Sequence, residues 1–328
     1  MNNAAAQASL DADTPRRLDR LGVHSLDHFC LSVPDLAVAK DFYTAFGLDV
    51  RHKDGALLLH TYGHSHCWAV VRSARRKQLE YLSFGAFEDD IDRIQHALLE
   101  ADVELLRSGE HVTDQGLWFK DCDGRLVQVK AAKKSSPNDK PESILRSTAP
   151  GTRGTTTRDE QKSVLPSRLA HILLFTTDVK HSVDFYSRIL GLRLSDEAGV
   201  VAFMHGAHGS DHHLLAFAKG DGSGLHHSSW NVGSVQEVGL GAMQMAAAGY
   251  PSGWGVGRHV LGSNYFYYVR DPWNSYAEYS YDIDYVPAEI DWSPGSFTPE
   301  NGFYLWAPLP PEDFAKDYEA EPALASNI

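Results

Sequence analysis

The chain has 328 residues, of which 43% are hydrophobic and 22% are charged, and its formal net charge is −13. This length and composition are typical of a globular protein with room for two domains, and the negative charge argues against a nucleic-acid partner. No apolar run reaches the roughly 20 residues of a membrane span, and residues 1–20 lack the apolar stretch of a secretory signal. Three scattered cysteines predict reduced thiols and a cytoplasmic protein: Cys30, Cys67 and Cys122.

Two stretches of the chain share one pattern. The first is DHFCLSVPDLAVAKDFYTAFGL from Asp27, and the second is AHILLFTTDVKHSVDFYSRILGL from Ala170. In both, a histidine opens an apolar run, an aspartate follows seven residues later, and Asp-Phe-Tyr follows thirteen residues after the histidine. Because repetition at a fixed spacing is the signature of repeated structure, the pattern predicts a duplicated unit.

Composition divides the chain into five segments. We assign residues 1–20 to an N-terminal arm, 21–131 to a first module, 132–164 to a polar linker, 165–285 to a second module and 286–328 to a tail with aromatic residues among prolines. We expect the linker to be exposed and mobile, because it has little apolar surface to bury. The tail is too apolar to stay in solvent, so we expect it to pack on the body or on a neighbouring subunit.

Within each module the pattern predicts a strand, a helix and several further strands. VAKDFYTAFGL and KHSVDFYSRILGL have helical spacing and end near a glycine. FEDDIDRIQHALLEADV and VGSVQEVGLGAMQMAAAGY are predicted second helices, and runs such as HHLLAFA and NYFYYVRD are predicted strands. The fold class is therefore α+β. Asp35 and Asp178 occur in both copies and are predicted to cap a helix or close a turn.

Three residues of the second module are candidate metal ligands. His171 lies in LAHILLF, His227 in LHHSSWNV and Glu278 in SYAEYSYDI. Polar side chains on a strand face that would otherwise pack a core need partners, and a shared metal ion would supply one. Two histidines and one carboxylate, with open positions opposite, suit Fe(II) and O₂, although Mn(II) would accept the same donors.

A comparison of the two copies separates what folding needs from what a metal needs. When the copies are aligned, Gln128 falls where Glu278 stands, and Tyr81 falls where His227 stands. Of the three candidate ligands, the first module keeps only a histidine, His28. Glutamine has no anionic oxygen and tyrosine keeps its proton at neutral pH, so the first module is predicted to bind no metal.

The chain resembles the two-domain type I extradiol catechol dioxygenases of the vicinal oxygen chelate superfamily over about residues 21–291. The most specific stretch is GRHVLGSNYFYYVRDPWNSYAEY, with His259, then Tyr268 nine residues on, an Asp-Pro, and the candidate glutamate ten residues after the tyrosine. Two positions depart from the family pattern: Tyr267, which is usually aliphatic or Phe, and Asn274, which is usually Gly or Pro.

The resemblance implies two tandem glyoxalase-like modules, each of paired βαβββ units that form an open barrel, with Fe(II) in the second. It implies cleavage of a catechol next to its diol by O₂, to a 2-hydroxymuconic semialdehyde, in a homo-oligomer. The family pattern His-x-Leu-Ala-Phe matches at His213, which would be the acid or base near O₂. His259 and Tyr268 would bind and orient the catecholate.

Two pairs of adjacent histidines need a choice. In both pairs the family pattern places the functional histidine second, which favours His227 over His226 and His213 over His212. Since side chains alternate along a strand, we also expect His226 and His227 to point to opposite faces. We interpret other histidines as structural: His24, His28, His66 and His181.

Several alternatives remain open. The chain could be a glyoxalase-like enzyme, a 4-hydroxyphenylpyruvate dioxygenase-like enzyme or a non-catalytic small-molecule-binding protein of the bleomycin-resistance kind. The sequence does not choose between catechol, an alkylcatechol and a biaryl diol. Trp230, Phe266 and Tyr276 hint at an aromatic lining of the site but suit a core equally well.

Overall fold

The computed structural model describes residues 14–142 and 148–320. The first seven strands form one open sheet, in the order β2-β3-β4-β1-β5-β7-β6. Their bounds are β1 (Val23–Val33), β2 (Asp49–Lys53), β3 (Ala56–His60), β4 (Cys67–Ser73), β5 (Gln78–Ala86), β6 (Leu117–Lys120) and β7 (Leu126–Ala131).

A second open sheet has ten strands, in the order β18-β9-β10-β12-β8-β13-β16-β15-β14-β19, and β11 and β17 form a small separate pair. Their bounds are β8 (Arg168–Thr176), β9 (Arg193–Ala198), β10 (Val201–His205), β11 (Ser210–Asp211), β12 (Leu215–Lys219), β13 (Leu225–Asn231), β14 (Gly253–His259), β15 (Tyr265–Arg270), β16 (Tyr276–Tyr281), β17 (Tyr285–Val286), β18 (Gly295–Phe297) and β19 (Tyr304–Trp306).

Helices connect and cover these strands. They are α1 (Leu36–Ala45), α2 (Glu88–Glu100), α3 (Val179–Leu190), α4 (Val235–Ala247), α5 (Pro299–Gly302) and a single 3₁₀ turn (Arg158–Glu160). Within the described part of the chain, no helix is long and apolar enough to cross a membrane.

The two sheets repeat one topology, which confirms the predicted duplication and the α+β class. In the first sheet, β1 pairs parallel with β4 and antiparallel with β5, and β5 pairs parallel with β7. In the second, β8 pairs parallel with β12 and antiparallel with β13, and β13 pairs parallel with β16. Parallel neighbours need a crossover, and helices supply it in both copies.

The two recurring aspartates begin the first helix of each copy, as expected. Asp35 Oδ1 accepts hydrogen bonds from the backbone N–H of Ala37 and Val38, and Asp178 Oδ1 accepts one from the N–H of His181. These bonds satisfy donors that have no partner within the helix, as an N-cap does. The aspartates therefore belong to the fold.

One turn shape precedes the last strand of both modules. Asp271 Oδ1 accepts hydrogen bonds from the N–H of Trp273 and Ser275, and Asp121 makes the same pair of bonds in the first module. Asn274 has φ 71° in this turn, and Gly124 has φ 80° at the equivalent position. Asparagine tolerates this left-handed conformation, so the departure from the family pattern preserves the turn.

The modules share one continuous hydrophobic core. The ring of Phe46, in the first module, stacks on Tyr279 with centroids 4.0 Å apart, and the Tyr279 hydroxyl donates to the Phe46 carbonyl. In the other direction, the buried hydroxyl of Tyr186 donates to Asp121 Oδ2 over 2.8 Å. The Asp-Phe-Tyr repeat of the second copy is thus a packing element between modules.

The tail extends both edges of the second sheet. β18 pairs with β9 at one edge, and β19 pairs with β14 at the other. Beyond β19, Phe314 is buried against Trp254, Tyr268 and Tyr276. The tail therefore packs on the body of the protein, one of the two placements expected for it.

The linker is only partly exposed. Residues 148–160 are exposed, but the backbone N–H groups of Ser135 and Ser136 both donate to Ser25 Oγ. Lys134 also donates to the carbonyl of His208, so the first part of the linker lies against both modules. The hydrogen bonds of residues 134–136 explain why this part of the linker is not exposed, and its polar composition did not predict them.

Candidate metal centre

The three predicted ligands lie on adjacent strands of the second module. His171 is on β8, His227 on β13 and Glu278 on β16, and Ser229 of β13 is the register partner of both His171 and Glu278. All three ligand side chains are buried, and Glu278 has no exposed surface. Strand pairing thus brings together residues that are far apart in the sequence.

The donor atoms of these three residues converge. One ligand atom from each lies within 4.8 Å of the other two. Oε2 of Glu278 lies 3.2 Å from Nε2 of His171 and 3.5 Å from Nε2 of His227. Oε2 has no hydrogen-bond partner among the described residues. A buried carboxylate oxygen without a partner is costly, and a cation between the three donors would satisfy it. The residues therefore fit a divalent metal ion.

The strand registers confirm the alignment of the two copies. His28 of β1 pairs with Ser83, just as His171 pairs with Ser229. Counting along the same ladders places Tyr81 at the position of His227 and Gln128 at that of Glu278. The metal-binding group that the structure brings together lies in the second module. Of its three members, only His171 has an equivalent of the same residue type in the first module, which is His28.

His213 lies beside the three donors but outside a strand, because β12 begins only at Leu215. Its ring is 4.1 Å from that of His171, centroid to centroid. Nδ1 of His213 lies 3.0 Å from Nδ1 of His212, whose Nε2 lies 2.7 Å from Oδ2 of Asp196. Burial, together with the neighbouring histidines, holds the pKa of His213 well below its usual value.

His259 and Tyr268 are joined by a hydrogen bond, and Nε2 of His259 lies 4.0 Å from Oε1 of Glu278. Nε2 of His259 lies 3.0 Å from the Tyr268 hydroxyl, and Nδ1 lies 2.8 Å from the carbonyl of Phe303. A carbonyl only accepts, so Nδ1 carries the hydrogen and Nε2 accepts from the tyrosine. Burial and the charge of Glu278 raise the pKa of Tyr268 well above its usual value, and burial lowers that of His259.

The expectation that His226 and His227 point to opposite faces is wrong. Nδ1 of His226 lies 2.7 Å from Nδ1 of His227, and both residues line the same cavity. The register of β13 against β8 shifts between Leu225 and His227, so a bulge interrupts the alternation. Only His227 belongs to the metal-binding group.

The group opens into a cavity of about 230 Å³. Its wall away from the donors is apolar and is shared between the second module and the tail: Leu173, Ala198, Val200, Val201, Phe203, Ala218, Leu261, Pro299, Gly302, Phe303, Phe314 and Ala315. No lysine, arginine, aspartate or glutamate is among the described residues that line it. Trp230, Phe266 and Tyr276 do not line it and are buried in the core instead.

Other histidines make structural contacts. The ring of His24 is buried between Ser25 and the carbonyl of Ala132, and His66 bonds the carbonyl of Asp27. His181 is exposed on α3. None of these belongs to the metal-binding group.

Sequence reasoning missed two contributors to the site. Asn264 donates from Nδ2 to Oε1 of Glu278 over 3.3 Å and to Ser280 Oγ over 3.0 Å, and so orients the carboxylate. Phe314 contributes its ring to the cavity and its carbonyl to Nε2 of His226. Asn264 lies within the quoted signature, but no pattern in the tail marked Phe314.

Comparison with known proteins agrees with this geometry. The Glyoxalase/Bleomycin resistance protein/Dioxygenase superfamily matches residues 25–129 and 168–279, one range in each module. Metapyrocatechase 2 of Cupriavidus necator is 48% identical over 321 residues, which cover 98% of this chain and 100% of that protein.

Solved structures with low identity share the fold. An extradiol ring-cleaving dioxygenase from B. fuscum has a TM-score of 0.73 at 18% identity, covering 93% of this chain and 85% of that one. A Mn(II)-bound glyoxalase from Novosphingobium aromaticivorans has a TM-score of 0.71 at 21% identity, covering 92% and 95%. With the full-length identity to a metapyrocatechase, these matches show that the chain belongs to the extradiol ring-cleavage dioxygenases of the glyoxalase superfamily.

Proposed function

We propose that this chain is a metapyrocatechase, an enzyme that cleaves a catechol ring next to its diol with O₂ and gives a 2-hydroxymuconic semialdehyde. The observation that carries the proposal is the buried group of His171, His227 and Glu278, whose donor atoms converge at one end of an apolar cavity. The full-length similarity to metapyrocatechase 2 supports the same activity.

His171, His227 and Glu278 would hold Fe(II). Two imidazoles and one carboxylate leave coordination positions open, and a divalent iron bound there supplies sites for the diol and O₂ and a path for electrons between them. Mn(II) suits the same donors, and the Novosphingobium glyoxalase of the same fold is Mn(II)-bound. We propose Fe(II) because this ligand set with open positions is the one associated with O₂ chemistry.

Tyr268 and His259 would receive and orient the diol. The tyrosine hydroxyl donates to Nε2 of His259, so its oxygen lone pairs are free to accept from a catechol hydroxyl. A proton that leaves the catechol at this oxygen can pass through the tyrosine to Nε2 of His259. The carbonyl of Phe303, 2.8 Å from Nδ1, keeps the imidazole in the orientation that this transfer requires.

His213 would act on the oxygen side. It lines the cavity and its ring lies against that of His171, so His213 is next to the metal-binding group without belonging to it. We assign it hydrogen bonding to the reacting oxygen and proton transfer as the O–O bond breaks. Acid–base catalysis of this kind typically contributes about 10²–10⁴-fold to the rate.

The apolar wall favours neutral substrates. A carboxylated catechol would bring a charge into a cavity whose described lining has no lysine or arginine, and an unpaired buried charge is strongly unfavourable. We therefore expect higher kcat/KM for catechol and alkylcatechols than for 3,4-dihydroxyphenylacetate.

A colour assay tests the proposed function directly. The protein, loaded anaerobically with Fe(II), is mixed with catechol in air-saturated buffer, and the yellow ring-cleavage product is followed by absorbance together with O₂ uptake. One O₂ consumed per ring cleaved supports the proposal. No colour with any catechol, at full iron content, would refute it and favour a glyoxalase-like function.

A further inference from the structure

Asn264 carries a buried amide beside the metal-binding group. The residue lies directly before β15 and is 1% exposed. Its Nδ2 is 3.3 Å from Oε1 of Glu278 and 3.0 Å from Oγ of Ser280, so each of the two amide hydrogens has an acceptor. Because a carboxylate oxygen accepts and does not donate, this contact places Nδ2 on the side of Glu278 and Oδ1 on the other side of the amide.

The oxygen of this amide has no partner. Oδ1 of Asn264 is buried without a hydrogen-bond partner among the described residues. Buried polar atoms are normally paired, since an unpaired carbonyl oxygen has lost the hydrogen bonds that water would supply. The unpaired Oε2 of Glu278 fits a cation, and the unpaired amide oxygen in the same way fits a ligand that brings a hydrogen-bond donor.

This oxygen is on the cavity side of the amide. Asn264 lines the cavity, whereas Glu278 and Ser280, which its Nδ2 contacts, do not. A Cβ placed on Gly262 would lie 3.4 Å from Oδ1 of Asn264 and 3.1 Å from Cε1 of His213. His213 lines the cavity as well. Oδ1 is therefore on the side of the amide that a ligand in the cavity can reach.

The turn between β14 and β15 fixes the position of this amide. Gly262 has φ 82° in the turn, a conformation that favours glycine, and its missing side chain leaves the space beside Oδ1 free. The N–H of Asp284 donates to the Gly262 carbonyl over 2.8 Å, and Oγ of Ser263 donates to Oδ2 of Asp284 over 2.7 Å. The acceptor is thus held in place before a ligand arrives.

Few polar atoms of the cavity remain available to a substrate. Among the described residues that line it, two are metal ligands, and both ring nitrogens of His226 and His259 have protein partners. The remaining groups are the hydroxyl of Tyr268, one ring nitrogen of His213 and Oδ1 of Asn264. Of these, only the amide oxygen is restricted to accepting.

We propose that Asn264 is a substrate-binding residue, whose Oδ1 accepts a hydrogen bond from one hydroxyl of the diol while its Nδ2 holds Glu278. This inference rests on the proposed function, in which Tyr268 receives the other hydroxyl. Residues four apart on a strand share a face, so both side chains are placed on the side of the metal-binding group. The two hydroxyls then meet different acceptors, and the diol is bound in one orientation.

The first module has no buried amide at the matching place. Trp118 pairs with Gln128 as Tyr268 pairs with Glu278. Counting back four residues from Trp118 leads to Asp114, which is exposed. The buried amide therefore accompanies the metal-binding group and is not a requirement of the fold that the modules share.

The test compares two ligands that differ in one hydroxyl. Catechol and 2-fluorophenol are titrated anaerobically into Fe(II)-saturated wild type and Asn264→Leu, with the iron content of each sample measured. We expect the Kd of catechol to rise about tenfold, as for the loss of one hydrogen bond between neutral groups. The Kd of 2-fluorophenol should rise less than about twofold, since its single hydroxyl can still bind at Tyr268. The difference between the ligands isolates the contact to the second hydroxyl.

Two further variants complete the comparison. Asn264→Ala introduces no bulk and should give the same difference between the ligands if the leucine variant does not fold. Asn231→Leu is the matched control, because Asn231 ends β13, donates to Oγ of Ser167 and does not line the cavity. Both Kd values should stay at the wild-type level in this control.

The outcomes distinguish this contact from the proposed function. An unchanged catechol Kd in the Asn264 variants, or an equal rise for both ligands, would overturn the contact and show that Asn264 acts through Glu278 alone. A wild type that binds catechol but does not cleave it would refute the proposed function, while a selective rise of the catechol Kd in Asn264→Leu would still support the contact.

Discussion

Corresponding strands of the two modules carry polar residues at the same register positions, and the hydrogen-bonding groups of these residues find partners in different ways. In the first module, Gln128 accepts from Ser83 Oγ over 2.7 Å and donates to the carbonyl of Gln115 over 2.9 Å. His28 lies between Asp27, at 2.6 Å, and the Tyr81 hydroxyl, at 3.2 Å. The side chains of Gln128 and His28 therefore have hydrogen-bond partners within the first module.

In the second module, several polar atoms of the equivalent residues have no hydrogen-bond partner among the described residues. Oε2 of Glu278, Nδ1 of His171 and Oγ of Ser229 are buried without a hydrogen-bond partner among the described residues. Each such group costs about 1–3 kcal/mol. The two sheets thus differ in whether side chains of the protein satisfy these polar groups, and we expect a bound metal ion to stabilise the second module, where they do not.

The largest effect is expected where the second module is made to resemble the first. Glu278→Gln replaces the anionic ligand with the residue type found at Gln128, and we expect the affinity for Fe(II) to fall by more than about 100-fold. Iron content after dialysis measures this, with turnover lost in parallel. Gln128→Glu is the control and should leave the iron content at one per chain. Retention of iron by Glu278→Gln would contradict the ligand assignment.

A smaller effect separates chemistry from binding. His213→Phe removes the proposed acid but none of the three ligands, so we expect iron and catechol to bind as in the wild type while kcat falls about 10²–10⁴-fold. Iron analysis, anaerobic catechol titration and steady-state kinetics check the three quantities. Turnover near the wild-type value would show that His213 is not the acid.

A buried ion pair connects the first module to the tail. Nζ of Lys77 contacts Glu319 of the tail, and their side chains are only 4% and 9% exposed. Lys77→Met leaves a buried carboxylate unpaired, so we expect the free energy of unfolding to fall by about 3–5 kcal/mol. Denaturant unfolding measures this.

The double variant Lys77→Met, Glu319→Gln tests the cause, since it removes both charges but keeps an amide oxygen that can accept from the backbone N–H of Leu79 or Leu225, and it should recover part of the lost stability. An exposed pair provides the control: Arg51, whose side chain is 49% exposed, lies 2.6 Å from Asp49. Arg51→Met should cost at most about 1 kcal/mol. Equal losses at the two sites would contradict the buried-pair explanation.

The smallest effect concerns the closed network of the first module. Burial alone would raise the pKa of Asp27, but the hydrogen bonds and charges of His28 and Lys130 outweigh it and lower the pKa to about 2. Because this lies below the ordinary value of 3.8, the carboxylate stabilises the fold above about pH 4 and loses this effect as the pH falls towards 2.

Asp27→Asn should therefore lower the free energy of unfolding at pH 7 by on the order of 2 kcal/mol. Its stability should also depend less steeply on pH between 4 and 2. Denaturant unfolding across this range checks both, and an unchanged slope would show that another carboxylate carries the acid sensitivity.

The residues of the site that could be predicted from the sequence are those that belong to a repeated or characteristic sequence motif. His171, His227 and Glu278 could be found because the copies repeat at fixed spacing and differ at two of the three positions. The contact between His226 and His227 could not, because a bulge breaks the alternation on which strand reasoning depends. Asp196 and Phe314 reach the site through pairing between distant segments, which leaves no local signal. The homo-oligomer stays a prediction.

The tail has a consequence for the order of events during synthesis. β18, β19 and Phe314 follow both modules in the chain, so a nascent polypeptide that has completed its two duplicated units still lacks part of the cavity wall. It also lacks the carbonyl that holds His226. Since domains fold in order as they emerge from the ribosome, we expect both modules to fold before the tail completes the wall of the cavity.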